Sequence, residues 1–228
     1  MNTIELLKNI AKKNNTIESF SIHTFPKQTL VQDKVDVWNE EEQNMFDFAI
    51  SLKKTYGMPF WDSLLLGSFN NASYSEELLN IVLCHNSIKD LLFVDIADLS
   101  QYLNTVNGKR LAVNSRVKMK DGSIKHLPML DFHISVSDIN QKIVSDVCSH
   151  LKLNGYLLNS GESYHYIGIE PVDWDTLYML LSKALLFCPI IDRAWISHQL
   201  QEKSCSLRID KKNGMETRVL EEIKYMQQ

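Results

Sequence analysis

The spacing of the apolar residues changes period near residue 90, and that change confines the chain to a mixed α+β architecture. Before it, apolar residues recur at three- and four-residue intervals. Asn2 to Lys13 and Glu40 to Tyr56 read as helices, the second opened by Glu40, Glu41 and Glu42 and closed by Gly57, Met58 and Pro59, and Ser73 to Asn86 reads as another. Then Leu91 to Ile96 reads as a strand and Ala97 to Leu103 as a helix. Arg110 to Lys118 and Ile124 to Val136 read as strands joined across Asp121-Gly122, a dipeptide suited to a tight hairpin. Ile139 to Leu151 is helical by pattern, and Asn154-Gly155 stops it. Tyr156 to Asn159 and Ser163 to Ile169 are strands around the turn Ser160-Gly161-Glu162. Asp173 or Asp175 caps an apolar helix ending near Phe187, which Pro189 prevents from continuing, and Cys205 to Asp210 is the strand that finishes the ordered part. The order from residue 110 is β, β, α, β, β, α, β, an α+β sheet with helices on one face. The expected organisation is a core at residues 109–228 carrying the site after a smaller, mainly helical α/β lobe at 1–108; with no repeat or glycine-rich linker, one compact domain fits the same pattern.

Length and composition narrow the function classes. With 228 residues, 44% of them hydrophobic, the chain can bury a core. The longest apolar run, Ala184 to Ile191, is short against the roughly 20 residues of a membrane span. The N-terminus has no apolar signal-peptide region, so a cytoplasmic protein away from the membrane is expected. Cys84, Cys148, Cys188 and Cys205 form no CxxC pair, which speaks against a zinc knuckle and for buried thiols in a reducing compartment. A net charge of −4 excludes a general nucleic-acid coat, but charge is unevenly spread. Residues 109–126 hold six Lys or Arg against Asp121, a net +5, which leaves −9 on the rest. A basic strip on an acidic body and a solvated hairpin with outward charges both fit that split.

Chemistry-bearing residues gather on two strands. In Leu130-Asp131-Phe132-His133-Ile134, Asp131 and His133 project from one face while the apolar residues fill the other. Ser163 and His165 likewise share a face beside the Ser160-Gly161 turn, whose amides can point at an anion. Downstream stand Ile190-Ile191-Asp192 and Leu207-Arg208-Ile209-Asp210. His198, Trp174 and Trp195 read as a surface histidine and packing aromatics, Glu162 as a solvated turn tip, and Asp95 and Asp98 as a strand end and helix cap. His23, His85, His126 and His150 have no ligand spacing to anything.

In this order, an apolar-Asp-x strand, a Ser-x-His strand after a Ser-Gly turn, an apolar-Asp element and a Leu-Arg strand with basic Lys211, Lys212 and Gly214 behind it, the chain resembles the archaeo-eukaryotic primase and primase-polymerase superfamily over about residues 110–214. The resemblance implies an RRM-like core sheet and nucleotidyl transfer on nucleoside triphosphates and single-stranded DNA or RNA in replication. It implies Asp131 and Asp192 as catalytic carboxylates, and Asp131, His133 and Asp192 around Mn²⁺ or Mg²⁺. It makes Ser160, Ser163, His165 and Arg208 the nucleotide contacts, and the chain's length, with no helicase or zinc-binding segment in it, adds the expectation of a separate protein partner. Asp131, His133, Ser163, His165 and Arg208 are then expected on one face of a single sheet. His133 departs from the family, which carries an acid there; imidazole is a poor Mg²⁺ ligand, so either metal preference has moved toward Mn²⁺ or polymerisation has been lost. Asp210 competes with Asp192 as the third acid, and Asp192 is preferred because it leaves Arg208 for phosphate. The alternatives are a degenerate nucleotide- or nucleic-acid-binding module and a metal-dependent phosphohydrolase using the Asp/His cluster.

Overall fold

A computed structural model describes residues 1–26, 40–60, 62–64, 91–106, 109–210 and 217–225. The helix expected over Ser73–Asn86, and Lys211, Lys212 and Gly214, lie outside the described residues. The chain forms two compact units, one of residues 1–25 with 88–228 and one of 26–87, so the division expected at 108 falls inside the larger unit.

In the smaller unit, helix α2 (Glu40–Tyr56) buries Met45, Phe46 and Ala49, and the Phe46 ring meets Phe60 edge-on at 5.7 Å. Gly57 ends it in the left-handed region at φ +65° and donates to the Lys53 carbonyl at 3.0 Å, a glycine stop.

The larger unit opens with α1 (Thr3–Lys13), whose Asn2 and Glu5 cap each other's backbone amides in a capping box. Then comes β1 (Ile17–Pro26), a ten-residue strand where a mainly helical lobe was expected. After β2 (Leu91–Asp95) and α3 (Leu99–Thr105), β3 (Lys109–Met119) turns through Gly122, at φ +84°, into β4 (Ile124–His126). One sheet runs β2-β1-β3-β4, with β8 (Ser206–Arg208) also on β3.

The strand expected from Ile124 to Val136 is broken, because Pro128 has no N–H to continue a ladder. His126 still bridges Val172 in both directions, while the Pro128 carbonyl accepts from Gly168 N–H at 2.7 Å. The chain thereby passes into a second antiparallel sheet, ordered β5-β7-β6-β9, built from β5 (Met129–Asp131), β6 (Gly155–Asn159), β7 (Tyr164–Gly168) and β9 (Arg218–Ile223). Between these lie α4 (Asp138–His150), capped by Ser137, α5 (Trp174–Ala184), capped by Asp173, and α6 (Arg193–Glu202), capped by Asp192. β9 extends the ordered part beyond Asp210, where it was expected to end. Leu6, Leu7, Ile10, Phe20, Ile22, Val113, Leu130, Leu157, Tyr164 and Tyr166 belong to one continuous buried core. The chain is thus α+β, and among the described residues no helix is long and apolar enough to cross a membrane.

Close packing makes Gly155 a sensitive position. A Cβ there would run into the Ile167 carbonyl and lie 2.6 Å from Tyr166 Oη, which itself donates to the Asn154 carbonyl. Gly155→Ala is expected to lower the unfolding free energy by about 1–3 kcal/mol, as overpacking does in a dense core. A urea midpoint equal to wild type would show that Tyr166 yields without cost.

Candidate functional site

Asp131 ends β5 directly opposite His165 of β7, so both side chains leave the same face of the sheet. Asp131 Oδ1 lies 3.4 Å from His165 Nε2, and the imidazole is nearly enclosed, at 7% exposure. One residue past β5 the backbone runs between two neighbours: Phe132 N–H donates to the Tyr164 carbonyl and His133 N–H to that of Ile190. Asp192 N–H donates to the Asp131 carbonyl at 2.9 Å. This pairing, invisible in the spacing of the motifs, sets Asp192 beside Asp131.

A second Asp/His pair follows from it, with His133 Nδ1 lying 3.6 Å from Asp192 Oδ2. Asp192 also caps α6, its Oδ1 accepting from Trp195 N–H at 3.0 Å. Burial alone would push the Asp192 carboxyl up, but the His133 imidazole and the Trp195 amide more than offset it and hold the group below the usual aspartate range. Ser163 donates its hydroxyl in a very short hydrogen bond to the Phe132 carbonyl, which ties the start of β7 to the end of β5.

The Ser160-Gly161 turn is held from three sides. Asn159 Oδ1 accepts from Gly161 N–H at 2.7 Å, Ser160 N–H donates to the Ser163 carbonyl at 3.0 Å, and Arg208 Nη2 donates to the Ser160 carbonyl at 3.0 Å. Gly161 takes φ +104°, which L side chains rarely adopt. Arg208 reaches this turn from β8, which belongs to the other sheet. The expectation of one sheet face is therefore corrected: Asp131 and His165 share a face, while Arg208 reaches the Ser160 turn from a strand of the other sheet. Arg208 also donates Nη1 to the Asp210 carbonyl at 2.9 Å and lies 3.9 Å from Asp210 Oδ1. That oxygen is buried without a hydrogen bond among the described residues, which keeps Asp210 a candidate acid beside Asp192.

Among the described residues, no group of three or more His, Cys, Asp or Glu side chains converges on a point where a metal could sit. His165 stands against Asp131 and His133 against Asp192, two carboxylate–imidazole pairs at this end of β5. A dedicated protein cage is not required for Mg²⁺, which is commonly held by one or two carboxylates together with the phosphates of its nucleotide. Asp131 and Asp192, on hydrogen-bonded backbones, fit that lesser requirement.

Other residues fall as follows. Glu162 is exposed at the turn tip, whereas His198, expected at the surface, is buried at 7% exposure. Trp174 is a packing aromatic, 5.6 Å from the His126 ring. Two residues of the basic strip have partners within the chain: Lys118 pairs with Glu18 at 2.8 Å on the surface, and Arg116 donates to the Glu202 carbonyl at 3.3 Å. Asn159 and Trp195 hold the site from positions that carry no motif; an Asn one residue before a Ser-Gly turn is the local signal for the first.

This α+β core of antiparallel sheets and helices is consistent with a primase-type core. The model of the archaeo-eukaryotic primase 1D-like family matches residues 92–220, more than half of the chain, and the protein belongs to that family. Members of the superfamily are typically metal-dependent. No curated protein and no solved structure matches the chain.

Proposed function

We propose that the chain is a nucleotidyltransferase of primase-polymerase type, which binds a nucleoside triphosphate at the Asp131–Asp192 end of β5 and transfers its nucleotidyl group to a 3′-hydroxyl on single-stranded DNA or RNA, with pyrophosphate leaving. The observation that carries this reading is the backbone bond from Asp192 N–H to the Asp131 carbonyl, which joins the two segments that bear these aspartates where Asp131 stands opposite His165. Asp131 and Asp192 would hold Mn²⁺ or Mg²⁺ accompanying the triphosphate, where the cation withdraws charge from the phosphoryl oxygens. His165 and the Arg208 guanidinium supply donors for phosphate oxygens, and Arg208 suits them through its planar fork. The Ser163 hydroxyl proton is already given to Phe132, so its contribution to the triphosphate is through the turn it fixes. Nucleic acid is assigned to the ribbon of β3 and β4. Unpaired thiols at Cys148, Cys188 and Cys205 support work in the reducing cytoplasm.

Incubation with labelled triphosphates, single-stranded DNA or RNA, and either Mn²⁺ or Mg²⁺ tests the proposal. Incorporation is expected, and faster with Mn²⁺, because the His133 imidazole, 3.6 Å from the Asp192 carboxylate, can join it in holding Mn²⁺ but is a poor ligand for Mg²⁺. A second reading, a binding module that has lost polymerisation, is favoured by His133 standing against Asp192 where the family has an acid. Triphosphate binding indifferent to metal, with no incorporation, selects it. Phosphate release without a template selects a phosphohydrolase instead.

A further inference from the structure

Strand β8 is three residues long and pairs with β3. At its first residue, Ser206, two further backbone groups are satisfied by side chains of the helix that precedes it. Trp195 Nε1 donates to the Ser206 carbonyl at 2.9 Å, and Gln199 Oε1 accepts from Ser206 N–H at 2.7 Å. Across the ladder, Asn114 Nδ2 donates to Ser206 Oγ at 2.9 Å. All three polar groups of Ser206 are therefore fixed, two residues before Arg208.

Trp195 also makes a bond at the opposite end of this segment, where its backbone N–H meets Asp192 Oδ1. Indole N–H is a donor and nothing else, so inside a fold it must find an acceptor, and here the acceptor is on the strand that carries Arg208. Arg208 in turn spends two donors on backbone carbonyls, those of Ser160 and Asp210. Any shift of β8 is thus passed to the guanidinium and to the Ser160 turn.

We propose that Trp195 is a positioning residue: its backbone amide sets the Asp192 carboxylate, its indole N–H sets β8 at Ser206, and the indole bond thereby tunes how Arg208 meets a triphosphate. The inference rests on the reading of Asp192 and Arg208 as triphosphate-site residues. It adds that Trp195, which touches no nucleotide, governs affinity through Arg208.

The test replaces Trp195 by β-(3-benzothienyl)alanine, which keeps the shape of indole, removes the N–H and leaves the amide bonded to Asp192. Affinity for a nonhydrolysable triphosphate with Mn²⁺ is measured for this protein, for Arg208→Ala and for the combination. Loss of the N–H is expected to weaken binding about five- to tenfold in the wild-type background, the scale of one hydrogen bond. In the Arg208→Ala background the same replacement should change affinity less than about twofold, because coupled residues are not additive. 5-Fluorotryptophan, which retains the N–H, should bind as wild type. An equal loss in both backgrounds marks a merely structural tryptophan and overturns the proposal, as does unaltered affinity without the N–H or weakened affinity with 5-fluorotryptophan. If Arg208→Ala itself binds as wild type, the triphosphate reading fails and takes the inference with it, an outcome distinct from a silent Trp195 beside an effective Arg208.

Discussion

Asp131→Asn and Asp192→Asn are each expected to lower the proposed nucleotide incorporation at least about hundredfold, the scale on which removal of one transition-state electrostatic group is felt. Asparagine keeps the shape of each side chain and removes its charge. The stability cost at position 192 is expected to be small, since asparagine caps a helix about as well as aspartate and can still accept from Trp195 N–H. Initial rates of incorporation, read beside urea midpoints, separate a chemical effect from unfolding. Asp210→Asn arbitrates the third acid. Its carboxylate carries a buried oxygen with no hydrogen bond among the described residues, 3.9 Å from Arg208 Nη1. Rates within about threefold of wild type for Asp210→Asn leave Asp192 as the working carboxylate; the reverse pattern transfers the role. Rates near wild type for both Asp131→Asn and Asp192→Asn would end the assignment of this site.

The parts of the site legible from sequence were those decided by local rules. The two-residue period put Asp131 and His133 on one strand segment and Ser163 and His165 on another, and Asp173 and Asp175 marked the start of a helix that Asp173 caps. What escaped was decided by partners far away in the chain. The pairing of the Asp131–His133 segment with Ile190–Asp192 joins residues some sixty apart and creates the His133–Asp192 contact. β9 pairs with β6 across a similar separation, and Glu221 and Glu222 give it the look of a solvated tail. Two signals were present and outweighed. Pro128, inside an apparent strand, marks the passage between sheets, and the alternation Ile17-Glu18-Ser19-Phe20-Ser21-Ile22 is a strand pattern hidden among helical ones. Arg208 is the informative case. Its strand and its basic character were readable, but its use of a backbone carbonyl on the neighbouring sheet requires the two sheets to be set first.

Stability should fall as pH drops from about 6.5 toward 4.5, and the buried titratable groups near β3 predict the slope. His23 and His126 are 8% and 6% exposed, and burial, with the Arg116 charge adding to it, pushes both imidazoles down to about 4. In the unfolded chain each takes up its proton near pH 6.5. Between those values the unfolded state holds more protons, so the stabilisation is complete above about pH 6.5 and is lost on acidification. Glu202, in the last turn of α6, opposes this. Burial pushes it up to about 7 against the pull of Arg116, so its contribution is present below about pH 4.5 and is lost as pH rises toward 7. Two histidines against one glutamate leave a net of one proton across pH 4.5 to 6.5, a slope of about 1.4 kcal/mol per pH unit, or about 3 kcal/mol over the window. The lowered carboxyls of Asp192 and Asp173 act only below that range. Glu202→Gln removes the opposing proton and should double the slope, while His126→Gln should flatten it. Unfolding free energies from urea titrations at half-unit pH steps measure all three proteins. A wild-type curve that is level from pH 6.5 to 4.5, or a Glu202→Gln curve no steeper than wild type, would show that these groups do not titrate as their burial requires.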